Sequence, residues 1–283
     1  MTVPQKVGVV GGGRMGAGIA QVFAVLGSTV VIAESADQKA ALERVETGLA
    51  RAHERGKLTV DPAEILSRVT TVASPADLPS DLDLVVEAVP EIPTLKVEVL
   101  ALIDKTVSTE TIIASNTSSI SITELGVALN DPARFIGMHF FNPVPASTLV
   151  EIVRAPTTSA DVVDRVREWV SLLGKTEVLV KDSPGFATSR LGVCLGLEAI
   201  RMLEEGVADA ESIDRAMELG YKHPMGPLRS TDLVGLDVRL AIAEHLASTL
   251  GERFTPPQLL RDKVARGELG RKSGKGFHKW ESK

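Results

Sequence analysis

His139 and Glu151 are the residues of this sequence best suited to proton transfer. His139 stands at the end of the apolar run 134–140, and Glu151 lies within the next apolar run, 149–154. An imidazole titrates near neutrality, and a carboxylate bonded to its second ring nitrogen fixes the tautomer and favours the cation, as a general base requires. The pattern therefore predicts an acid–base pair. The alternative is a buried histidine satisfied by a structural acid.

A glycine-rich loop near the N-terminus is the second chemical signal. Gly11, Gly13 and Gly16 match the spacing G-x-G-x-x-G between a predicted strand and a predicted helix. Such glycines permit a tight turn and close backbone approach, and the helix N-terminus offers N–H groups to a pyrophosphate. We therefore expect a dinucleotide at this loop, with Arg14 and Met15 also at the cofactor.

Glu34 decides which dinucleotide is expected. It ends the apolar run 29–33, close to the ~20-residue spacing at which a dinucleotide fold places a carboxylate on the adenosine ribose. A carboxylate there repels a 2′-phosphate, so the sequence favours NAD over NADP. Lys39 or Arg14 are the side chains that would offset this repulsion.

Composition restricts the class of protein. Lys plus Arg number 31 against 37 Asp plus Glu, and the net charge of −6 gives no basic field for nucleic acid. No apolar run resembles a membrane span and the N-terminus lacks a signal-peptide core, so we expect a cytoplasmic protein without nucleic-acid or membrane partners. The single cysteine, Cys194, is expected to be a small buried hydrophobe, and no metal site is expected.

The order of apolar runs predicts an α/β fold, with a Rossmann-type doubly wound, mostly parallel sheet followed by an all-helical C-terminal domain. Strands are expected at residues 6–10, 29–33, 69–72, 82–89, 111–115, 134–140, 149–154 and 176–181. Helices between them are expected at about 13–26, 37–55, 61–68, 93–104, 121–128 and 159–173.

The pattern of apolar residues changes after residue 182, where they recur only at helical spacing. Helices are expected there at 186–205, 210–219, 231–250 and 257–266. Pro184 and Gly185 mark the boundary between an NAD-binding Rossmann-type domain, 1–182, and a helical substrate and dimerisation domain, 183–283. Because small domains bury surface inefficiently, we expect a homodimer through the C-terminal domain.

Seven segments, in order along nearly the whole chain, carry a family resemblance. They are Gly11–Ala20, Glu87–Glu91 with Lys96, Ala114–Ser119, His139–Pro145, Asp182–Phe186, Pro224–Pro227 and Gly270–Phe277. Together they resemble the L-3-hydroxyacyl-CoA dehydrogenase family, most of all the short bacterial 3-hydroxybutyryl-CoA dehydrogenases. The resemblance implies an oxidoreductase of fatty acid metabolism that interconverts a short-chain (S)-3-hydroxyacyl-CoA and a 3-oxoacyl-CoA with NAD(H).

The resemblance also implies roles for individual residues. His139 would take the proton of the 3-hydroxyl while hydride leaves for the nicotinamide, and Glu151 would orient and charge-balance it. Ser118 would bind the substrate oxygen beside the nicotinamide, with Asn142 as a further polar group there. A hydroxyl and an amide suit this role because they hold an alkoxide-like oxygen without competing for the proton. The alternative for Ser118 is a turn or a helix cap.

Binding residues follow from the same resemblance. Cofactor contacts are implied at Glu34, Glu91, Lys96 and Lys272. The alternative for Lys96 and Lys272 is an ordinary surface position. Basic groups for the coenzyme A part of the substrate are implied at Arg51, Arg55 and Lys57, for which a solvated helix face is the alternative.

One departure concerns substrate choice. The family often has an asparagine shortly after Pro-Gly-Phe, at the thioester carbonyl, whereas this chain has Ser189. Ser189 and the coenzyme A side leave open a related dehydrogenase of a free hydroxy acid such as gulonate. The alternative from another class is a non-catalytic, crystallin-like NAD-binding protein, against which the presence of Ser118, His139 and Glu151 argues. The other histidines, among them His278, show no paired acid in the sequence and are expected to be structural or exposed.

Overall fold

A computed structural model describes residues 2–281, so Met1, Ser282 and Lys283 at the ends of the predicted domains lie outside the described residues. The chain divides into two compact units, one up to Ser183 and the other from Pro184 onward. Within residues 2–281, no helix is long and apolar enough to cross a membrane.

The N-terminal unit is built on one eight-stranded sheet with the order β3-β2-β1-β4-β5-β6-β7-β8. All neighbouring strands are parallel except β6 and β7. The strands are β1 (Lys6–Val10), β2 (Thr29–Ala33), β3 (Val69–Val72), β4 (Leu84–Glu87), β5 (Ile112–Ser115), β6 (Phe135–Phe140), β7 (Leu149–Arg154) and β8 (Thr176–Lys181). The predicted Rossmann-type sheet is confirmed, and the bounds differ from the prediction by at most a few residues.

Helices cover this sheet. They are α1 (Arg14–Leu26), α2 (Gln38–Glu54), α3 (Pro62–Leu66), α4 (Pro93–Thr106), α5 (Ile122–Gly126) and α6 (Ala160–Leu172). α2 shows why they form: the Asp37 side chain accepts from the Ala40 N–H and caps the helix, and Ala41, Val45 and Leu49 recur every four residues on its buried face.

The strand order places the predicted chemistry at one edge of the sheet. β2 and β4 both pair with β1, on opposite sides. The strands after β3 are therefore added on the other side of β1, and the strand order reverses there. Ligands of such folds bind at the carboxyl ends of the strands beside this reversal. The glycine loop leaves β1 there, and the loop from Asn116 onward leaves β5 at the same edge.

The C-terminal unit is helical. Its helices are α7 (Thr188–Glu204), α8 (Ala210–Gly220), α9 (Pro227–Val234), α10 (Leu236–Leu250) and α11 (Gln258–Ala265). The single helix predicted at 231–250 is wrong, because Gly235 has φ +103° and ends α9 before α10 begins. The Leu236 N–H donates to Leu269 O instead of continuing a helix. Apolar residues at helical spacing continue across the break, so periodicity does not reveal it.

A second expectation in this unit is wrong, and one side-chain pair was not anticipated. Cys194 is exposed rather than buried, because α7 buries Val193 and Leu197 and turns Cys194 away from them. His278 does have an acidic partner: its Nε2 lies 2.7 Å from Asp214 Oδ2, and both side chains are buried. The two residues are 64 positions apart, a separation that hides the pair in the sequence.

Candidate active site

His139 and Glu151 form a buried pair across the one antiparallel strand pairing of the sheet. β6 and β7 pair so that the two residues are directly opposite each other, which puts their side chains on the same face. His139 Nδ1 lies 2.9 Å from Glu151 Oε2, and the residues are 5% and 0% exposed. Because a carboxylate only accepts, Nδ1 carries the proton, and Nε2 is the nitrogen that can exchange a proton with a ligand.

Ser118 lies in a loop that is fixed from two sides. Glu91 Oε1 accepts from Thr117 Oγ1 at 2.6 Å and from the Ser118 N–H at 2.8 Å. Asn116 Oδ1 accepts from the Phe140 N–H at 2.8 Å, which ties the same loop to the residue that follows His139 in the chain. The loop after β5 is therefore held at the strand end that carries the histidine.

Lys96 is not a surface lysine. It is 1% exposed, and its Nζ lies 2.7 Å from Glu87 Oε1 and 3.3 Å from Glu91 Oε2. Glu87 Oε2 in turn accepts from Ser115 Oγ at 2.5 Å. The ammonium thus anchors the end of β4 and the carboxylate that holds the Ser118 loop. A cofactor contact at Lys96 or Glu91 stays a prediction.

The pKa values of the two carboxylates in this cluster, Glu87 and Glu91, are shifted in opposite directions. Burial raises the pKa of Glu87, and the charge and hydrogen bond of Lys96 oppose the shift without cancelling it. Burial also raises the pKa of Glu91, but Lys96 and the donors at Thr117 and Ser118 outweigh burial and hold this pKa below its ordinary value. Glu91 therefore has the lower pKa of the two carboxylates.

Most of the predicted cofactor residues at the glycine loop line one cavity of about 650 Å³, and Gly16 is not among its lining residues. Gly11, Gly13, Arg14, Met15 and Glu34 all contribute to it. A Cβ at Gly11, whose φ is +101°, would lie 2.8 Å from Ala88 O, whereas a Cβ at Gly13 would meet nothing within 4 Å. The turn therefore needs Gly11 for its shape and leaves the space beside Gly13 open, as a bound pyrophosphate requires.

Glu34 is held at the rim of this cavity by backbone donors. Its Oε2 accepts from the Gly12 N–H and its Oε1 from the Ala36 N–H, each at 2.8 Å. Burial raises the pKa of Glu34, but these N–H groups outweigh burial and keep the net pKa below its ordinary value. Arg44, which the sequence did not single out, donates to Gly12 O at 3.0 Å. The carboxylate is charged and oriented, and these residues fit a ribose that donates hydroxyl hydrogen bonds.

A second cavity, of about 510 Å³, is lined by several basic side chains. Asn142 lines it together with Arg14, Arg44, Arg51, Arg55 and Lys57. No acidic side chain is among its lining residues, all of which belong to the described part of the chain. The basic residues of α2 therefore face a cavity, in contrast to the alternative of a fully solvated helix face.

The segment 143–146 also lines this basic cavity, and Lys175 holds its main chain. Lys175 Nζ donates to Val144 O at 2.7 Å and to Ser147 O at 2.5 Å, and burial lowers the pKa of this lysine. Across the segment, a Cβ at Gly18 of α1 would lie 2.9 Å from Val144 Cβ. Only glycine allows so close an approach. No sequence motif pointed to Lys175, since its partners are main-chain carbonyls.

Two predicted site residues belong to the C-terminal unit. Ser189 is the second residue of α7. Lys272 Nζ lies 2.6 Å from Asp237 Oδ2, where its half-exposed side chain forms an ion pair within that unit. A cofactor contact at Lys272 and a substrate contact at Ser189 stay predictions.

Comparison with known families identifies both units. Residues 6–183 match the family model described as 3-hydroxyacyl-CoA dehydrogenase, NAD binding domain, and residues 185–280 match the model described as its C-terminal domain. The chain belongs to the 3-hydroxyacyl-CoA dehydrogenase family. The resemblance inferred from the sequence is confirmed, as are the NAD cofactor and the dehydrogenase class that this family implies.

Individual members of the 3-hydroxyacyl-CoA dehydrogenase family match over the full chain. A Deinococcus radiodurans protein described as a probable 3-hydroxybutyryl-CoA dehydrogenase is 46% identical over 97% of this chain and 100% of its own. A 3-hydroxybutyryl-CoA dehydrogenase of Mycobacterium tuberculosis is 42% identical over 97% of this chain and 98% of its own. The crystal structure of (S)-3-hydroxybutyryl-CoA dehydrogenase from Ralstonia eutropha superposes with a TM-score of 0.93 at 43% identity, covering 99% of this chain and 100% of that one.

Proposed function

We propose that this protein interconverts a short-chain (S)-3-hydroxyacyl-CoA and the corresponding 3-oxoacyl-CoA with NAD(H). The observation that carries the proposal is the buried pair of His139 and Glu151, 2.9 Å apart, in a chain whose full-length relatives include 3-hydroxybutyryl-CoA dehydrogenases.

His139 acts as the proton carrier in this proposal. In oxidation, Nε2 accepts the proton of the 3-hydroxyl, and the cation that results is stabilised by Glu151 at Nδ1. In reduction, the same nitrogen returns the proton to the oxygen. NAD, when bound, supplies the hydride acceptor. Ser118 and Asn142 donate hydrogen bonds to the substrate oxygen, which stabilises the negative charge that develops on it.

The basic cavity holds the phosphates of coenzyme A in this proposal. Arg51, Arg55 and Lys57 supply positive charge to this cavity, and the segment 143–146 also lines it. Guanidinium groups match phosphate geometry through paired N–H donors. A free hydroxy acid such as gulonate carries no phosphate and leaves this charge unused, so the cavity favours the acyl-CoA.

Each unit has its own proposed role. We assign dinucleotide binding to residues 1–182, with Glu34 on the adenosine ribose, and substrate binding and dimerisation to residues 183–283, with Ser189 on the thioester side. The C-terminal unit exposes large apolar side chains, which favour a partner surface. They are Leu191, Val207, Leu219 and Tyr221, at 60–76% exposure.

The proposed assembly is a cytoplasmic homodimer without nucleic-acid or membrane partners. A net charge of −6 and the absence of a membrane-spanning helix from residues 2–281 are compatible with it. Sedimentation equilibrium tests the dimer: the full chain should run as a dimer at micromolar concentration, and a chain ending near Asp182 should run as a monomer. A monomeric full chain would contradict the assembly.

The test of the proposed reaction compares three substrates by the change in NADH absorbance, which falls when a 3-oxo compound is reduced and rises when a hydroxy acid is oxidised. Acetoacetyl-CoA should be reduced rapidly, and free acetoacetate should be a far poorer substrate because it lacks the phosphates that the basic cavity binds. Gulonate with NAD should give no reaction. Equal rates with acetoacetyl-CoA and free acetoacetate would remove coenzyme A from the proposal, and a rate with gulonate alone would assign the protein to a different reaction.

A further inference from the structure

Gln21 is a buried polar side chain that lines the basic cavity. It lies on α1 and is 4% exposed. Within residues 2–281, its side-chain amide forms no hydrogen bond. The amide can still be reached by a ligand, because Gln21 is one of the residues that line the cavity of about 510 Å³. The basic cavity therefore contains a neutral hydrogen-bonding group besides its cations.

Gly48 of α2 determines where this amide lies. A Cβ at Gly48 would be 2.2 Å from Gln21 Oε1 and 3.5 Å from Gln21 Nε2, so the amide occupies the place that a side chain at position 48 would take. Gly48 lines the same cavity. An amide removed from water is unfavourable unless it is hydrogen-bonded, and buried polar groups are almost always bonded. Since the described chain supplies no partner, we expect the partner to be in the cavity.

Cations lie on both sides of the amide along α2. Gly48 follows Arg44 by four residues and precedes Arg51 by three, so the three positions share one face of the helix. Both arginines line the cavity, and no acidic side chain is among the lining residues, all of which belong to the described chain. A ligand that contacts Gln21 therefore has a positive charge on either side of the contact.

We propose that Gln21 hydrogen-bonds the adenosine part of a ligand that carries phosphates on both sides of that adenosine. A primary amide presents an acceptor and two donors, which match a ring nitrogen and the amino group of adenine. Coenzyme A has this layout, with a pyrophosphate at the 5′ position and a phosphate at the 3′ position of its adenosine. This choice of ligand rests on the proposed function, within which Gln21 determines specificity.

The pantetheine arm of coenzyme A is the other source of a neutral partner. It contains amides, which an amide side chain can also bind. However, pantetheine carries a phosphate at one end only, whereas Arg44 and Arg51 lie on opposite sides of Gly48. The spacing of the two arginines therefore favours adenosine.

The experiment has a kinetic arm and a binding arm, both with the full-length protein. The kinetic arm compares kcat/KM for acetoacetyl-CoA with that for acetoacetyl-4′-phosphopantetheine, which lacks the adenosine. The binding arm measures the Kd of adenosine 3′,5′-bisphosphate by calorimetry with NADH present, so that the dinucleotide site is occupied. Both arms use the wild type, Gln21→Met and Gln38→Met. Gln38 is the control because it begins α2 and lines neither cavity.

Gln21→Met should weaken binding of the adenosine part without weakening the fold. We expect the Kd of adenosine 3′,5′-bisphosphate to rise by roughly 3- to 10-fold and kcat/KM for acetoacetyl-CoA to fall by a similar factor. The phosphopantetheine thioester should react as with the wild type. The Tm should not fall, because an unbonded amide is replaced by an apolar group of similar shape. Gln38→Met should leave all four quantities unchanged.

Three results would overturn the proposal. The first is a folded Gln21→Met variant with the wild-type Kd and wild-type kinetics. The second is an equal loss with both thioesters and an unchanged Kd, which would assign the amide to pantetheine. The third is a Gln21→Met variant that fails to fold or has a lower Tm, which would show that the amide is bonded within the protein.

The wild type alone provides a further check. If it does not bind adenosine 3′,5′-bisphosphate, the proposal is overturned without any variant. If it reduces neither thioester, the proposed function fails, and the binding arm still decides whether Gln21 contacts adenosine.

Discussion

His139 and Glu151 are direct cross-strand neighbours of β6 and β7, and the carboxylate lies 2.9 Å from the ring nitrogen that faces away from the proposed substrate. The strand pairing itself sets this distance, so the pair does not depend on a flexible loop. The ring of Phe141 lies 4.3 Å from the imidazole, centroid to centroid, and limits its movement further.

The role of Glu151 can be separated from that of a simple hydrogen-bond partner. Glu151→Gln keeps the shape but removes the charge, and its amide can donate to Nδ1, which favours the wrong tautomer. We expect kcat to fall by roughly 10²-fold or more, with little change in the affinity for NADH. Steady-state kinetics and NADH fluorescence titration measure the two quantities. An unchanged kcat would assign Glu151 a structural role only.

Removing one partner of the buried ion pair of Lys96 and Glu87 should destabilise the N-terminal unit. Lys96→Met leaves a buried carboxylate without its cation, and we expect the free energy of unfolding to fall by about 3–5 kcal/mol. Lys105→Met, which removes an exposed lysine of the same helix, should change it little. Denaturant unfolding of both variants checks this, and equal losses would show that the pair contributes nothing specific.

Glu34 should control the choice between the two nicotinamide dinucleotides. The wild type is expected to prefer NADH over NADPH in kcat/KM, because the charged carboxylate accepts from ribose hydroxyls and repels a 2′-phosphate. Glu34→Ala should narrow the preference, the more so because Arg44 lies beside Gly12 and would then attract the phosphate. A wild type that prefers NADPH would show that the positive charge of Arg44 or Arg14 already outweighs the repulsion between Glu34 and the 2′-phosphate.

The lowered pKa of Glu34 also predicts an acid effect on stability. The folded pKa is below the ordinary value of 4.5, so the unfolded chain takes up the proton first as pH falls. The stabilisation by ionised Glu34 is therefore complete above about pH 4.5 and is lost as pH falls through the folded pKa. The difference in Tm between the wild type and Glu34→Gln should be constant at neutral pH and shrink below pH 4.5. A difference in Tm that grows as the pH falls would contradict this prediction.

Much of the fold could be predicted because its signals are local. Continuous apolar runs such as Leu84–Val86 identify strands buried on both faces of a parallel sheet, and the glycine loop identifies the turn after β1. The break at Gly235 was not predicted, because the spacing of apolar residues does not change at a single glycine with positive φ.

The candidate site was predictable only where a motif marks it. His139 and Glu151 lie in adjacent runs, but the partners of Lys175 are backbone carbonyls and therefore have no sequence signature. Asp214 and His278 meet only through the tertiary fold.

The central claim is that His139 moves the proton in an NADH-dependent reduction of a 3-oxoacyl-CoA. Its most direct test is the rate of NADH consumption with acetoacetyl-CoA for His139→Gln, with His245→Gln, an exposed histidine, as the matched control. The account predicts that His139→Gln binds NADH normally and loses roughly 10²- to 10⁴-fold in kcat, while the control keeps the wild-type rate. Near-normal turnover by a folded His139→Gln variant would contradict it.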